Sequence, residues 1–178
     1  MSHRKQQGVA LLKAIETGAA EPLAIINPDK YIQHNLAGAD GLAGLSALLA
    51  TLPDGSANPA RVFENHDHVF ALTDYNFFGP MIGFDIFRFE NGRIVEHWDN
   101  LQATARPNPG GHSMLDGPTE PRDLDKTYAN KQLVRAFVDS LFSGSSAVAV
   151  QFICPRARPP TLRVCVAFSE FHPPETSQ

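Results

Sequence analysis

Two runs of apolar-rich residues, MIGFDIFRF at 81–89 and RIVEHWDNLQ at 93–102, are joined through Glu90 and the dipeptide Asn91-Gly92. Asn-Gly between such runs is the strongest short hairpin signal available, because both residues tolerate the positive φ that a tight turn needs. The last two strands are therefore predicted to pair antiparallel. Upstream, RVFENH at 61–66 and HVFALTDY at 68–75 are two further β-like runs, so the four together read as a meander. The segments before them are helical in pattern. Helices first and strands afterwards imply an α+β fold rather than a parallel sheet built from βαβ units.

The first helical pattern is QQGVALLKAIETG, with Val9, Leu11, Leu12 and Ile15 on one side, Lys13 and Glu16 on the other, and a stop at Gly18. A short second helix is expected from Glu21 to Ile26, broken by Asn27-Pro28-Asp29, after which YIQHN at 31–35 reads as a short extended segment. In ADGLAGLSALLATLPDG the leucines at 42, 45, 48, 49 and 52 recur at helical spacing. Asp40 can cap that helix, Pro53-Asp54-Gly55 stops it, and a core helix is predicted. A loop rich in Ser, Asn and Pro is expected between it and the first long strand.

Residues 1–104 thus form one domain. Pro107, Pro109, Gly110, Gly111, Gly117, Pro118 and Pro121 make 105–126 a linker. NKQLVRAFVDSLFSG then repeats the first helix's design, with Leu133, Val134, Phe137, Val138 and Leu141 at helical spacing and a stop at Gly144. Residues 127–144 are read as the opening helix of a truncated second copy of the domain, and 145–178 as an irregular tail without periodicity.

With 178 residues, one well-buried domain plus an appendage is the expected size. A net charge of −4 without a basic run gives nucleic acid or an anionic membrane little to attract it. No apolar stretch approaches a membrane span, and VALL near the N-terminus is interrupted at once by Lys13, which leaves a cytoplasmic location as the expectation. The two cysteines, Cys154 and Cys165, show neither a disulfide framework nor a zinc-ligand spacing.

Asp85 is the residue with the most chemical promise. Its neighbours Phe84, Ile86 and Phe87 predict a buried carboxyl whose charged form is disfavoured, suited to taking a proton from a carbon next to a carbonyl. The bland alternative is a carboxylate satisfied by a neighbouring strand or paired with Arg61 or Arg88. His97 and Asp99 share one side of the last strand while Glu96 and Trp98 share the other. A two-residue loop at Asn91-Gly92 sets Asp85 opposite Trp98, and a three-residue loop with a bulge sets it opposite His97. His66 and His68, with His34 and His97, invite a metal reading, but no acidic ligand follows at a suitable distance and no metal is expected. Glycine-rich phosphate loops and nucleophile elbows are absent.

YIQHN at 31–35, ADGL at 39–42 and above all DIFRFENGRIVEHWD at 85–99 resemble the SnoaL-like polyketide cyclase family, a branch of the nuclear transport factor 2-like (NTF2-like) superfamily. The resemblance covers about the first 100 residues. It implies a cone of helices on a strongly bent antiparallel sheet with an internal pocket, and a homodimer paired through the sheet. It also implies that Asp85 points into the pocket as the acid/base, and it favours the register that groups Asp85 with His97 and Asp99. His97 would then assist as proton shuttle, with Asp99 fixing its tautomer, while Tyr31, His34 and Asn35 line the wall. Isomerases of the fold carry a second aspartate where this chain has Asn35, and the family often has proline where this chain has Leu36. Tyr75, Phe77 and Phe78 are candidates to pack over a planar ligand.

Three functions fit these residues. One is a cofactor-independent acid/base enzyme, of cyclase or isomerase type, acting on a small hydrophobic carbonyl compound. Another is a non-catalytic ligand-binding or dimerisation module of the same fold. A regulatory protein using the exposed sheet face is a third reading, favoured if the interior is filled by side chains.

Overall fold

The computed structural model describes residues 1–52, 54–77 and 79–144, and it divides into two units, Met1–Glu120 and Pro121–Gln178. In the first unit, helix α1 (His3–Thr17) starts at Ser2, whose hydroxyl accepts from the Lys5 N–H, and ends at Gly18 with φ 66°. That left-handed residue costs glycine no Cβ strain, which is why the helix stops there. The inward stripe of α1 is Gly8, Leu11, Leu12 and Ala14, with Val9 only half-buried. Gly8 permits the close approach, since a Cβ there would lie 3.3 Å from Val69 Cγ1 and 3.5 Å from Phe87 Cδ2.

A 3-10 turn (Glu21–Ile25) stands where a short helix was expected. It leads to β1 (Ile32–Gln33) and α2 (Gly41–Ala50), and then to β2 (Ser56–Asn65), β3 (His68–Asn76), β4 (Pro80–Glu90) and β5 (Arg93–Ala103). The five strands form one sheet in the order β1-β5-β4-β3-β2. The meander β2 to β5 is antiparallel throughout, and β1 joins the far edge of β5 in parallel, so the sheet is mixed. Strand β2 begins five residues earlier than predicted, inside the stretch read as a loop. Pro59 is tolerated there because β2 is an edge strand with an irregularity between Pro59 and Arg61.

The β4–β5 hairpin corrects the predicted register. Its loop is the two-residue form, with Asn91 at φ 50° and Gly92 at φ 78°, closed by Glu90 opposite Arg93. Phe89 then pairs with Ile94 but Arg88 pairs with Glu96, leaving Val95 as an extra residue. Around this bulge Ile94 and Val95 are both fully buried. Asp85 consequently faces Asp99, and Phe87 faces His97. The expected opposition of Asp85 to His97 is not formed. A bulge does restore the expected grouping of Asp85, His97 and Asp99 on one face.

The inner sheet face carries Val69, Ala71, Phe87, Phe89 and Ala57, which pack with Leu11, Leu12, Ile26 and Leu45 into the core. In the second unit, a 3-10 turn (Leu124–Lys126) runs into α3 (Thr127–Phe142), and Gly144 follows with φ 72°, as Gly18 follows α1. Leu133, Val134 and Leu141 of α3 are exposed. No helix among the described residues is long and apolar enough to cross a membrane. The irregular tail expected at 145–178, with Cys154 and Cys165, lies outside the described residues, as do Pro53 and Phe78.

Candidate functional site

Within the first unit, a cavity of about 280 Å³ lies between the inner sheet face and the helices. Leucines 11, 12, 45, 48, 49 and 52 form the helical wall. The sheet side supplies the polar groups: Asp85, His97 and Asp99, with Tyr31, Gln33, Asn35 and Tyr75. No lysine or arginine among the described residues lines the cavity. Ligand sites commonly span about 300–1,000 Å³, so the space suits a compact molecule. With two carboxyls and no cation among its described lining residues, the cavity disfavours an anion.

Asp85 is 1% exposed. Thr73 Oγ1 donates to its Oδ2 at 2.9 Å, and the Tyr75 hydroxyl donates to the same carboxyl at 2.7 and 2.8 Å. His97 Nε2 lies 3.4 Å from Oδ1. Neither arginine touches it, because Arg61 donates to the backbone carbonyls of Asp116, Gly117 and Pro118, while Arg88 pairs with Glu90 and Glu96. A carboxyl taken out of water needs such donors, since leaving a buried polar group unpartnered costs about 1–3 kcal/mol. Burial first, and the nearby Asp85 charge second, hold the Tyr75 phenol well above its usual range, so it remains a donor. Tyr31 is held up likewise, by burial and then by Asp99, Asp40 and Asp85.

Gly83 explains how Tyr75 reaches Asp85. It sits on the inner face between Met81 and Asp85, opposite Thr73 and Leu101. A Cβ at 83 would lie 2.7 Å from Tyr75 Cε2, so the missing side chain is the space through which the ring leans. Tyr75 also contacts Phe77, with ring centroids 4.4 Å apart.

Most of the predicted site residues converge on the cavity, with two corrections. His34 is on the other face. Alternation about the extended backbone sends Tyr31, Gln33 and Asn35 inward and His34 outward, where it is exposed, binds Glu96 at 2.9 Å and stacks on Trp98 at 4.8 Å. Asp99 does not fix the His97 tautomer. Its carboxylate accepts from Asn35 Nδ2 at 2.6 Å, while His97 Nδ1 meets Gln33 Oε1 at 3.1 Å. Gln33 and Thr73 are the members that sequence reasoning missed. The signal for both was alternation: Gln33 lies midway between Tyr31 and Asn35, and Thr73 two residues before Tyr75. His66 and His68 lie on the turn between β2 and β3 and its edge. His68 binds Asp67 there, and neither histidine lines the cavity.

Ligand atoms of Asp85, His97 and Asp99 fall within 4.8 Å of one another, a metal-capable grouping among the described residues. Both carboxylates are already engaged by O–H or N–H donors, from Thr73 and Tyr75 on one and Asn35 on the other. Asp40, expected to cap α2, caps nothing with its side chain, and its Oδ1 accepts from the Gln33 N–H at 2.7 Å. That bond and the pairing of Gln33 with His97 across β1 and β5 anchor the polar end of the cavity.

No family model matches the chain, and no curated protein matches it by sequence. Solved structures do. An NTF2-like protein of unknown function from Cytophaga hutchinsonii superposes with a TM-score of 0.50 at 12% identity, over 57% of this chain and 92% of that one. IdmH from Streptomyces antibioticus, described as a candidate polyketide cyclase, is 23% identical with a TM-score of 0.47, over 56% of this chain and 92% of its own. A candidate SnoaL-like polyketide cyclase from Shewanella putrefaciens is 15% identical with a TM-score of 0.48, over 57% and 80%. The first unit has the NTF2-like α+β fold.

Proposed function

We propose that the first unit is a cofactor-independent acid/base enzyme, of cyclase or isomerase type, acting on a small, uncharged, hydrophobic carbonyl compound. The observation that supports it most is a buried Asp85–His97 pair at the polar end of an otherwise leucine-lined cavity. The substrate carbonyl accepts from the Tyr31 hydroxyl. The Asp85–His97 pair removes a proton from the adjacent carbon, and the electron pair of that C–H bond moves into the enolate. Tyr31 and the protonated pair stabilise the oxyanion. The enolate then either attacks a second carbonyl, whose π electrons become an alkoxide that takes the proton from the pair as the ring closes, or takes that proton back at another carbon. Asn35 and Asp99 orient the substrate beside the pair.

A second reading rests on one feature: Asp85 is satisfied internally by Thr73 and Tyr75, as a structural aspartate would be. In that case the unit binds a ligand without transforming it. Substituted phenols and naphthols, which mimic an enolate, distinguish the two. The enzyme reading expects tighter binding as the phenol becomes more acidic, loss of that trend in Asp85→Leu, and no effect of His34→Ala, whose side chain is on the other face. Binding that is insensitive to phenol acidity and to Asp85→Asn leaves only the binding module.

A further inference from the structure

We infer that Gln33 is a positioning residue: its amide determines which nitrogen of His97 exchanges the proton and leaves the Tyr31 hydrogen for the ligand. The catalytic consequence rests on the function proposed above, whereas the assignment of the protons does not.

An amide side chain can be turned end for end, so its orientation needs a partner whose role is unambiguous. The backbone N–H of Asn35 is such a partner, because it only donates, and it meets Gln33 Oε1 at 3.1 Å. That end is therefore the oxygen. His97 Nδ1 lies 3.1 Å from the same oxygen, which only accepts, so Nδ1 carries the hydrogen. With Nδ1 so committed, Nε2 is the nitrogen left to exchange a proton, and at 3.4 Å from Asp85 Oδ1 it shares that proton with the carboxyl. Nε2 is the atom that takes up and releases the proton.

The other end of the amide follows from the first. Gln33 Nε2 donates to Tyr31 Oη at 3.2 Å, so the phenol oxygen is occupied as an acceptor while its own hydrogen stays unspent. No acceptor among the described residues takes that hydrogen, and Tyr31 lines the cavity. One buried amide thus leaves Nε2 to the Asp85 carboxyl as its proton partner and leaves the Oη hydrogen for the cavity. Its own place is secured by the Asp40 carboxylate and by its strand pairing with His97. The titratable groups facing His97 are Asp85 on β4, Asp99 on its own strand, Tyr31 beside β1 and, through Asp85, Tyr75 on β3. Phe87 stacks on the ring at 4.7 Å, and α1 and α2 bring only apolar side chains to the cavity.

The test is long-range ¹⁵N–¹H NMR of the histidine side chains in the full chain, from pH 5 to 9, in wild type, Gln33→Leu and Gln33→Glu. Wild-type His97 is expected to lose its proton from Nε2 and retain it on Nδ1. Gln33→Leu removes the acceptor and releases the ring to a mixture of tautomers. Gln33→Glu keeps an oxygen at Nδ1, so the tautomer persists. The same variant puts an acceptor against Tyr31, whose hydrogen is drawn away from the cavity. Phenol binding should weaken about tenfold, the equivalent of one lost hydrogen bond.

A wild-type His97 that is neutral with its hydrogen on Nε2, or that keeps both nitrogens protonated up to pH 9, overturns the inference. So does a pure Nδ1–H tautomer in Gln33→Leu. Should Gln33→Leu fail to fold, wild type and Gln33→Glu carry the test. Failure of the phenol trend with Asp85 would remove the catalytic reading and leave the tautomer result standing. The converse result would remove Gln33 alone.

Discussion

Gly83→Ala tests the geometry that brings Tyr75 onto Asp85. In an ordinary strand, replacing glycine by alanine stabilises by roughly 0.5–1 kcal/mol, because the unfolded chain loses freedom. Here the new methyl carbon would stand 2.7 Å from both Tyr75 Cε2 and Leu101 Cδ2, and 3.0 Å from Tyr75 Cδ2. Ordinary carbon contacts begin near 3.5 Å, so the ring must retreat by close to 1 Å. The hydroxyl bonds of 2.7 and 2.8 Å to Asp85 then stretch to the limit of hydrogen bonding. Overpacking costs about 1–3 kcal/mol, and a weakened bond to a buried charged group about 1.5–3 kcal/mol. Set against the strand gain, the net loss is about 2–5 kcal/mol. Guanidinium unfolding followed at Trp98, the single tryptophan, measures it. A double-mutant cycle with Tyr75→Phe separates the two parts, since that background keeps the ring and lacks the hydroxyl. The expected coupling is about 1.5–3 kcal/mol. A neutral or stabilising Gly83→Ala, or an additive cycle, would refute the reasoning.

Two further outcomes follow from the same structure. Folding raises the affinity of Tyr31 and Tyr75 for their protons, so the unfolded chain binds fewer protons once the pH exceeds the ordinary phenol value near 10. Stability contributed by these groups is present in full below that pH. It is lost above it at about 1.4 kcal/mol per pH unit for each tyrosine. Denaturant midpoints between pH 9 and 11.5 check this, and a flat profile would contradict it. On the outer sheet face, Phe63, Phe70 and Phe84 are 45%, 40% and 58% exposed, and this is the face through which the resemblance expects a homodimer to pair. Phe84→Glu is expected to shift the sedimenting species from dimer to monomer and to spare phenol binding. A wild type that sediments as a monomer would end the dimer expectation.

Much of the fold was legible because its signals are local. Asn91-Gly92 announced the hairpin, Gly18 ended α1, and the leucine spacing marked α2. These depend on backbone preferences and on which side chains share a face, both properties of neighbouring residues. The site was legible only in part. Asp85, His97 and Asp99 were grouped correctly, but through a register the protein does not use. The loop has two residues, and an extra Val95 shifts the face back. A bulge is a compromise between strands, favoured here because it buries two adjacent apolar residues at once, and no turn signature announces it. His34 was misassigned although its neighbours' alternation contained the answer, since the β1 edge had no visible partner in the sequence.

What the sequence by itself determined, then, is the inventory: a helix-then-meander α+β chain, a carboxyl set among aromatics, and polar side chains alternating on two strands. Tertiary structure decided how these groups are partnered. Parallel pairing of β1 with β5 brings Gln33 beside His97 across 64 residues of chain. The void at Gly83 admits Tyr75 to Asp85, and Asn35 rather than His97 binds Asp99. Each of these is a contact between residues distant in sequence, set by a register and a packing space that exist only once the sheet has formed.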